Sequence, residues 1–343
     1  MSHVHPAACG CGIDAHAHVV PEHFPAYIGS AMPADWPSMA AASQPCHRNV
    51  MISGKVYRTV SDRCWDVGRR LADLPAMGLD LQVVSPMPEL LSYWMRPADG
   101  QQLQRFLNDS IAAMVAESGG QLAGMGAVPL QDVQLAIREL EYVVRSLGFA
   151  AVEVGSNING RPIGAPEFDP FFEACEALDA AVFVHAIRPA GMDRLLGPPA
   201  LQQVLGYPGD VGLAAASVIT GNLLPRRPGL RIAFSHGGGT LASLLPRLQQ
   251  GWDVFPALKE QLRQAPLEQA RRLFYDTLVF DAATLSHGVA TFGASQLMIG
   301  SDYPFNFHEP RPVDRIAACG FEPEVARQLV RGNAERFLGM AKV

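Results

Sequence analysis

Charge is scarce in this chain: 17% of its 343 residues are Asp, Glu, Lys or Arg, and the formal net charge is -6. Nucleic-acid binding draws on clustered lysine and arginine, and here Pro225-Arg226-Arg227-Pro228 and Arg271-Arg272 stand isolated, so no nucleic-acid partner is expected. No apolar run approaches the ~18 residues that span a bilayer, and no membrane role is expected either. Met1 to Gly10 lacks the basic stretch and apolar segment of a secretion signal, which makes a cytoplasmic location the default expectation. Cysteine is sparse, six residues without framework spacing, so free thiols are expected. The pair in Cys9-Gly10-Cys11 is too closely spaced for the usual zinc motif.

What the chain does have is apolar residues, 48% of the total, enough for a large core. They gather in short β-branched runs, each followed by a stretch with helical periodicity, the pattern of parallel strands joined by crossover helices. The runs are Gly12 to His18, Leu79 to Ser85, Leu122 to Val128, Phe149 to Val154, Ala181 to His185, Leu230 to Ser235, Leu273 to Thr277 and Gln296 to Ser301. Helices are expected over Ala98 to Glu117, Asp132 to Leu147, Phe168 to Leu178, Asp210 to Leu224, Thr240 to Trp252 and Ala282 to Phe292. Final helices are expected over Pro323 to Arg331 and Ala334 to Met340. Eight such units predict an α/β fold, a (β/α)8 TIM barrel spanning 1–343 as one domain, with chemistry at the C-terminal strand ends. The segment 21–63 breaks the rhythm. Its alternating runs around Ser53-Gly54-Lys55 predict a hairpin, in an insertion after the first strand that folds over the barrel mouth.

His16 and His18 occupy positions i and i+2 of the first run, so both imidazoles reach the same face of a strand. His185 closes the fifth run, His236 follows the sixth, and Asp302 closes the eighth. Imidazoles and a carboxylate gathered at one end of a barrel suit a divalent metal site. His23, His47, His287 and His308, with the terminal His3 and His5, read as structural or surface residues.

The stretches Ile13-Asp14-Ala15-His16-Ala17-His18, Val184-His185, Ser235-His236-Gly237-Gly238-Gly239 and Gly300-Ser301-Asp302-Tyr303-Pro304-Phe305 resemble the amidohydrolase superfamily. Val56-Tyr57-Arg58-Thr59-Val60, Leu91-Ser92-Tyr93-Trp94 and Asp276-Thr277-Leu278-Val279 extend the likeness to its decarboxylase branch of the 2-amino-3-carboxymuconate 6-semialdehyde decarboxylase type. The resemblance implies that His16, His18, His185 and Asp302 bind one Zn2+ per chain, Mn2+ or Co2+ being the alternatives. It implies His236 as the acid/base working with metal-bound water, Asp302 beside it in the catalytic group, and no organic cofactor. Arg58 then holds a substrate carboxylate, and Arg247 reaches the neighbouring site of a homodimer. The implied activity is non-oxidative decarboxylation of an aromatic or muconate-type acid, a small-molecule carboxylate; hydrolysis of a C–N or lactone bond is the alternative with the same parts. The fourth run, Ala150 to Val154, lacks the lysine that many two-metal hydrolases carry there. One departure stands out: after His185 the chain reads Ala186-Ile187-Arg188-Pro189, where relatives carry Pro-Trp-Asp. Arg188 there has two readings, a second substrate contact or a salt bridge to a neighbouring acid.

Overall fold

The computed structural model describes residues 11–340, so His3, His5 and Cys9 lie outside the described residues. Eight strands form one sheet in sequence order: β1 (Gly12–Val19), β2 (Leu79–Pro86), β3 (Leu122–Ala127), β4 (Ala151–Gly155), β5 (Ala181–His185), β6 (Ile232–Phe234), β7 (Phe274–Asp276) and β8 (Leu297–Met298). Each pairs in parallel with the next. The ring closes where β1 meets the chain after β8: Ala15 N donates to Ile299 O at 2.9 Å, Asp302 N to His16 O at 2.9 Å, and His18 N to Tyr303 O at 2.8 Å. These bonds explain why β8 is shorter than its apolar run. Residues 299–303 serve the seam instead of extending a ladder with β7.

Along β5 the two-residue period is direct. Phe183 and His185 each lie 5.0 Å from the His16 ring inside the barrel, while Val182 and Val184 join the outer apolar cluster with Phe171, Phe172 and Val218. The outer layer comprises α1 (Val67–Met77), α2 (Pro97–Glu117), α3 (Val133–Arg145), α4 (Asp169–Ala177), α5 (Tyr207–Thr220), α6 (Leu241–Val254), α7 (Ala282–Phe292) and α8 (Pro312–Ala318). Aspartates cap three of these helices at their first turn: Asp66, Asp132 and Asp281 accept from the backbone N–H three residues on. The expected helix 210–224 starts earlier, at Tyr207, and breaks after Thr220, where Asn222 takes a left-handed φ of 56°. The C-terminal helices are likewise shorter, Pro323–Arg327 and Asn333–Phe337, joined by a wider turn. The helix α1 was not legible from its residues, because Pro75 lies inside it and an arginine, Arg70, is buried with Val67, Leu74 and Met77.

That arginine helps to lock the seam. Arg70, fully buried, donates to Gln82 Oε1 and to the His18 carbonyl, each at 2.5 Å, and lies 4.9 Å over the Tyr303 ring. Gln82 Nε2 donates to Asp14 at 2.8 Å, and Asp14 accepts from Ser301 N at 3.1 Å and Ser301 Oγ at 2.5 Å. One polar chain thus ties α1, β2 and β1 to the end of β8.

Between β1 and α1, the chain builds a small antiparallel sheet from Ser38–Ala41, His47–Ile52 and Lys55–Ser61. Ser53 and Gly54 turn the hairpin with φ of 52° and 72°, the handedness that two-residue hairpins require. The hairpin is as the sequence suggests; the third strand is additional. Cys46, Cys64, Cys175 and Cys319 form no disulfide.

Replacing Arg70 by Met leaves the His18 carbonyl and the Gln82–Asp14 chain without their buried donor. Urea unfolding is expected to show a loss of about 3–5 kcal/mol; a loss below about 1 kcal/mol would show that the seam does not depend on this network.

Candidate metal centre

Strand parity and barrel closure bring four residues to one point. One ligand atom each from His16, His18, His185 and Asp302 lie within 4.8 Å of one another. His16 Nε2 is 3.1 Å from His18 Nε2, and Asp302 Oδ1 is 3.1 Å from His18 Nε2 and 3.8 Å from His16 Nε2. The three histidines are buried and Asp302 is 16% exposed, which leaves one side open to the cavity.

The other ring nitrogens fix the tautomers. His16 Nδ1 donates to Asp276 Oδ2 at 2.7 Å, His18 Nδ1 to the Pro86 carbonyl at 3.1 Å, and His185 Nδ1 to the Ala186 carbonyl at 2.8 Å. With the proton on Nδ1, Nε2 of His18 and of His185 each presents a lone pair to the common point. His185 Nε2 is buried with no hydrogen-bond partner, and His16 Nε2 faces His18 Nε2 at 3.1 Å. A divalent cation satisfies all three nitrogens at once, and a carboxylate-backed imidazole such as His16 is a familiar metal ligand. The donor set therefore fits a metal.

From the protein's own groups alone, burial drives His18 down to about 4, with Asp302 opposing. Burial, helped by the other histidines, also holds His185 well below its usual value. Neutral imidazoles are what metal binding requires. His16 differs: burial again disfavours its charge, but the bond to Asp276 and the charges of Asp276 and Asp302 lift it to about 9. Asp302 is desolvated too, yet His18 and the neighbouring imidazoles keep its carboxyl below the usual range.

His236 sits beside this cluster, its ring 5.0 Å from His185 and 5.7 Å from His16. Burial lowers its pKa to about 4, against the opposing charge of Asp276, so its ring is neutral and available as a base. Its backbone is held at φ 54°, and Asp302 at φ 62°, both in a region that non-glycine residues seldom occupy. Asp276 supports the first of these turns by accepting from His236 N at 2.9 Å and Gly237 N at 2.7 Å.

A cavity opens above the cluster, lined by His236, Asp302, Arg58, Glu89, Tyr207 and Phe305 among others. Arg58 comes from the insertion hairpin. Its guanidinium lies 4.2 Å over the Phe305 ring, and among the described residues no carboxylate lies within 4.0 Å of it. Phe305 in turn stacks on His18 at 5.4 Å. Arg188 is placed differently: it stacks on Trp94 at 3.1 Å and donates to Glu89 at 3.2 Å, so a neighbouring acid is its partner. Arg247 lies exposed on α6, outside the cavity of its own chain. His308 donates to the Phe305 carbonyl at 2.5 Å, a structural role. Sequence reasoning missed Asp276, Glu89 and Tyr207 as site residues. Asp276 carried a signal, an acid at the end of the seventh apolar run; Glu89, on a short turn after β2, and Tyr207, the first residue of α5, end no such run.

Residues 13–340 match the family model described as Amidohydrolase. The chain is 34% identical over 331 residues to the 2-amino-3-carboxymuconate-6-semialdehyde decarboxylase of Dictyostelium discoideum, covering 96% of this chain and 91% of that one. Among solved structures, 5-carboxyvanillate decarboxylase from Sphingomonas paucimobilis superposes with a TM-score of 0.74 at 28% identity, covering 81% and 84% of the two chains. The dihydroxybenzoic acid decarboxylase from Polaromonas sp., solved with manganese and 2-nitroresorcinol, has a TM-score of 0.76 at 19% identity, covering 97% and 98%.

For a centre built this way, free metal at a hundredfold over its Kd is expected to stabilise the fold by about 2.7 kcal/mol. Asp276→Asn, which weakens the support of His16, is expected to lower metal affinity about 10- to 100-fold. Chelator competition followed by thermal unfolding measures both, and an unchanged affinity would remove Asp276 from the centre.

Proposed function

The chain belongs to the amidohydrolase family, and we propose that it is a metal-dependent, non-oxidative decarboxylase of an aromatic or muconate-type carboxylic acid. The observation that carries the reading is the convergence of the His16, His18, His185 and Asp302 ligand atoms beside a neutral His236, under an arginine that among the described residues forms no salt bridge. Those four residues hold one divalent cation; zinc suits three imidazoles and a carboxylate, and manganese or cobalt fits the same donors. A cation there supplies Lewis-acid polarisation of a substrate oxygen and acidifies water.

The chain's own residues supply the rest. Arg58, its plane fixed by Phe305, offers two parallel N–H donors to the substrate carboxylate. His236 takes a proton from a water molecule onto its ring and delivers it to the carbon bearing that carboxylate. The electron pair of the breaking C–C bond replaces the one used for the new C–H bond, and CO2 leaves. No electron acceptor is consumed. Asp302 sits at the junction of cluster and cavity, where it both completes the ligand set and lines the space a substrate would occupy.

The strand β4, where many two-metal hydrolases carry a lysine, has none, and among the described residues there is one cluster with metal-ligand geometry. This favours a single-metal reaction. The assembly completes the site in the same reading: Arg247 and Leu244, three residues apart and exposed on α6, face a second copy, so that Arg247 enters the partner's cavity in a homodimer.

His236→Ala is expected to keep its metal while turnover falls about 10²- to 10⁴-fold. CO2 and ammonia measured together decide the reaction class: CO2 without ammonia supports decarboxylation, and ammonia or ring opening without CO2 overturns it. Mixing His236→Ala with Arg247→Ala subunits is expected to restore activity that neither has alone; no recovery in mixed dimers would remove Arg247 from the neighbouring site.

A further inference from the structure

Glu89 is the carboxylate in the cavity wall that the reaction leaves unused. It stands on the short turn Pro88–Leu91 after β2 and is 12% exposed. Its Oε1 accepts from Arg188 Nη2 at 3.2 Å, and Tyr57 of the insertion hairpin lines the same cavity beside it. Arg188, flattened on Trp94 with φ 39°, comes from the loop after β5, so an arginine anchored from another loop holds this carboxylate in place. The ion pair accounts for the departure of the sequence after His185: the arginine there compensates the charge that Glu89 brings to the cavity.

A carboxylate offers about four acceptor positions, and Arg188 fills one. A substrate that fills the cavity removes the water from the others, and an acceptor left without a donor in a dry site is costly. Sites built this way reject analogues that lack the matching hydroxyl or amino group. Glu89 also repels a second carboxylate at that spot, in contrast to Arg58 across the same cavity.

We infer that Glu89, positioned by Arg188, is a specificity-determining residue that accepts a hydrogen bond from a hydroxyl or amino substituent on the substrate, at a position other than the one facing the metal. The inference rests on the reading of this cavity as the substrate site. It narrows the substrate class to an acid bearing such a donor.

The test measures binding on the metal-loaded protein, separately from turnover. The probes are 2-hydroxybenzoates with a second hydroxyl at each remaining ring position, each paired with the compound carrying methyl there. At one position the hydroxyl compound is expected to bind at least about tenfold more tightly than its methyl partner. Glu89→Leu is expected to bring that ratio to about one, and Glu89→Gln, which keeps the shape and a weaker acceptor, to an intermediate value. Metal content and thermal unfolding, recorded for each variant, separate a lost contact from a lost fold. Equal binding of hydroxyl and methyl partners at every position, a ratio unchanged in Glu89→Leu, or no binding of any probe overturns the inference. Because the ratio is read without catalysis, a Glu89-dependent preference with no CO2 released from any probe would count against the decarboxylase reading alone.

Discussion

Asp276, fully buried at the end of β7, accepts hydrogen bonds from four donors: His16 Nδ1, the backbone N–H groups of His236 and Gly237, and that of Leu278. The order of the centre follows from them. The first bond sets the tautomer and orientation of His16, so its Nε2 aims at the common point. The next two hold the left-handed turn that carries His236 off the end of β6 and into the cavity. Desolvation of this carboxylate is expensive, but the His16 bond and the neighbouring imidazoles outweigh it, and its pKa stays below the usual range. One side chain thereby couples the position of His16 to that of His236.

Close approach around Asp276 also explains a glycine. A Cβ on Gly300 would lie 2.6 Å from Asp276 Cβ and 2.9 Å from His16 Cβ, so the seam between β8 and β1 shuts only because position 300 has no side chain. From there the chain runs straight into Asp302, whose φ of 62° turns its carboxylate back toward His18. Both unusual backbone positions at the centre are fixed by neighbouring hydrogen bonds: His236 through Asp276, and Asp302 through the His16 carbonyl. The insertion hairpin then adds Arg58 and Tyr57 from above, a contribution that the barrel strands do not make.

Much of this was legible in the residues for a physical reason. A strand's period of two places His16 and His18 on one face, and a barrel's parallel strands all end on one side, so His185, His236 and Asp302 were assignable to the same end as the first pair. Strand and helix boundaries were less legible where backbone bonds were claimed elsewhere, as at 299–303, or where a proline and a buried arginine masked amphipathic periodicity, as in Val67–Met77. Arg188 shows the limit most clearly. Its sequence neighbours allowed a substrate contact or a salt bridge; the partner, Glu89, is 99 residues away, and no local pattern links the two.

The sequence alone determined the architecture, the set of imidazoles and carboxylate that meet, and the chemistry those types allow, because each depends on local periodicity and on the order of strands. Tertiary structure decided what surrounds them: the Asp276 anchor, the Arg70–Gln82–Asp14–Ser301 lock on the seam, and the Glu89–Arg188 pair in the cavity wall. These contacts join residues from separate loops and strands. Their distances exist only once the ring has closed, and it is closure that removes water and brings these polar groups to their partners.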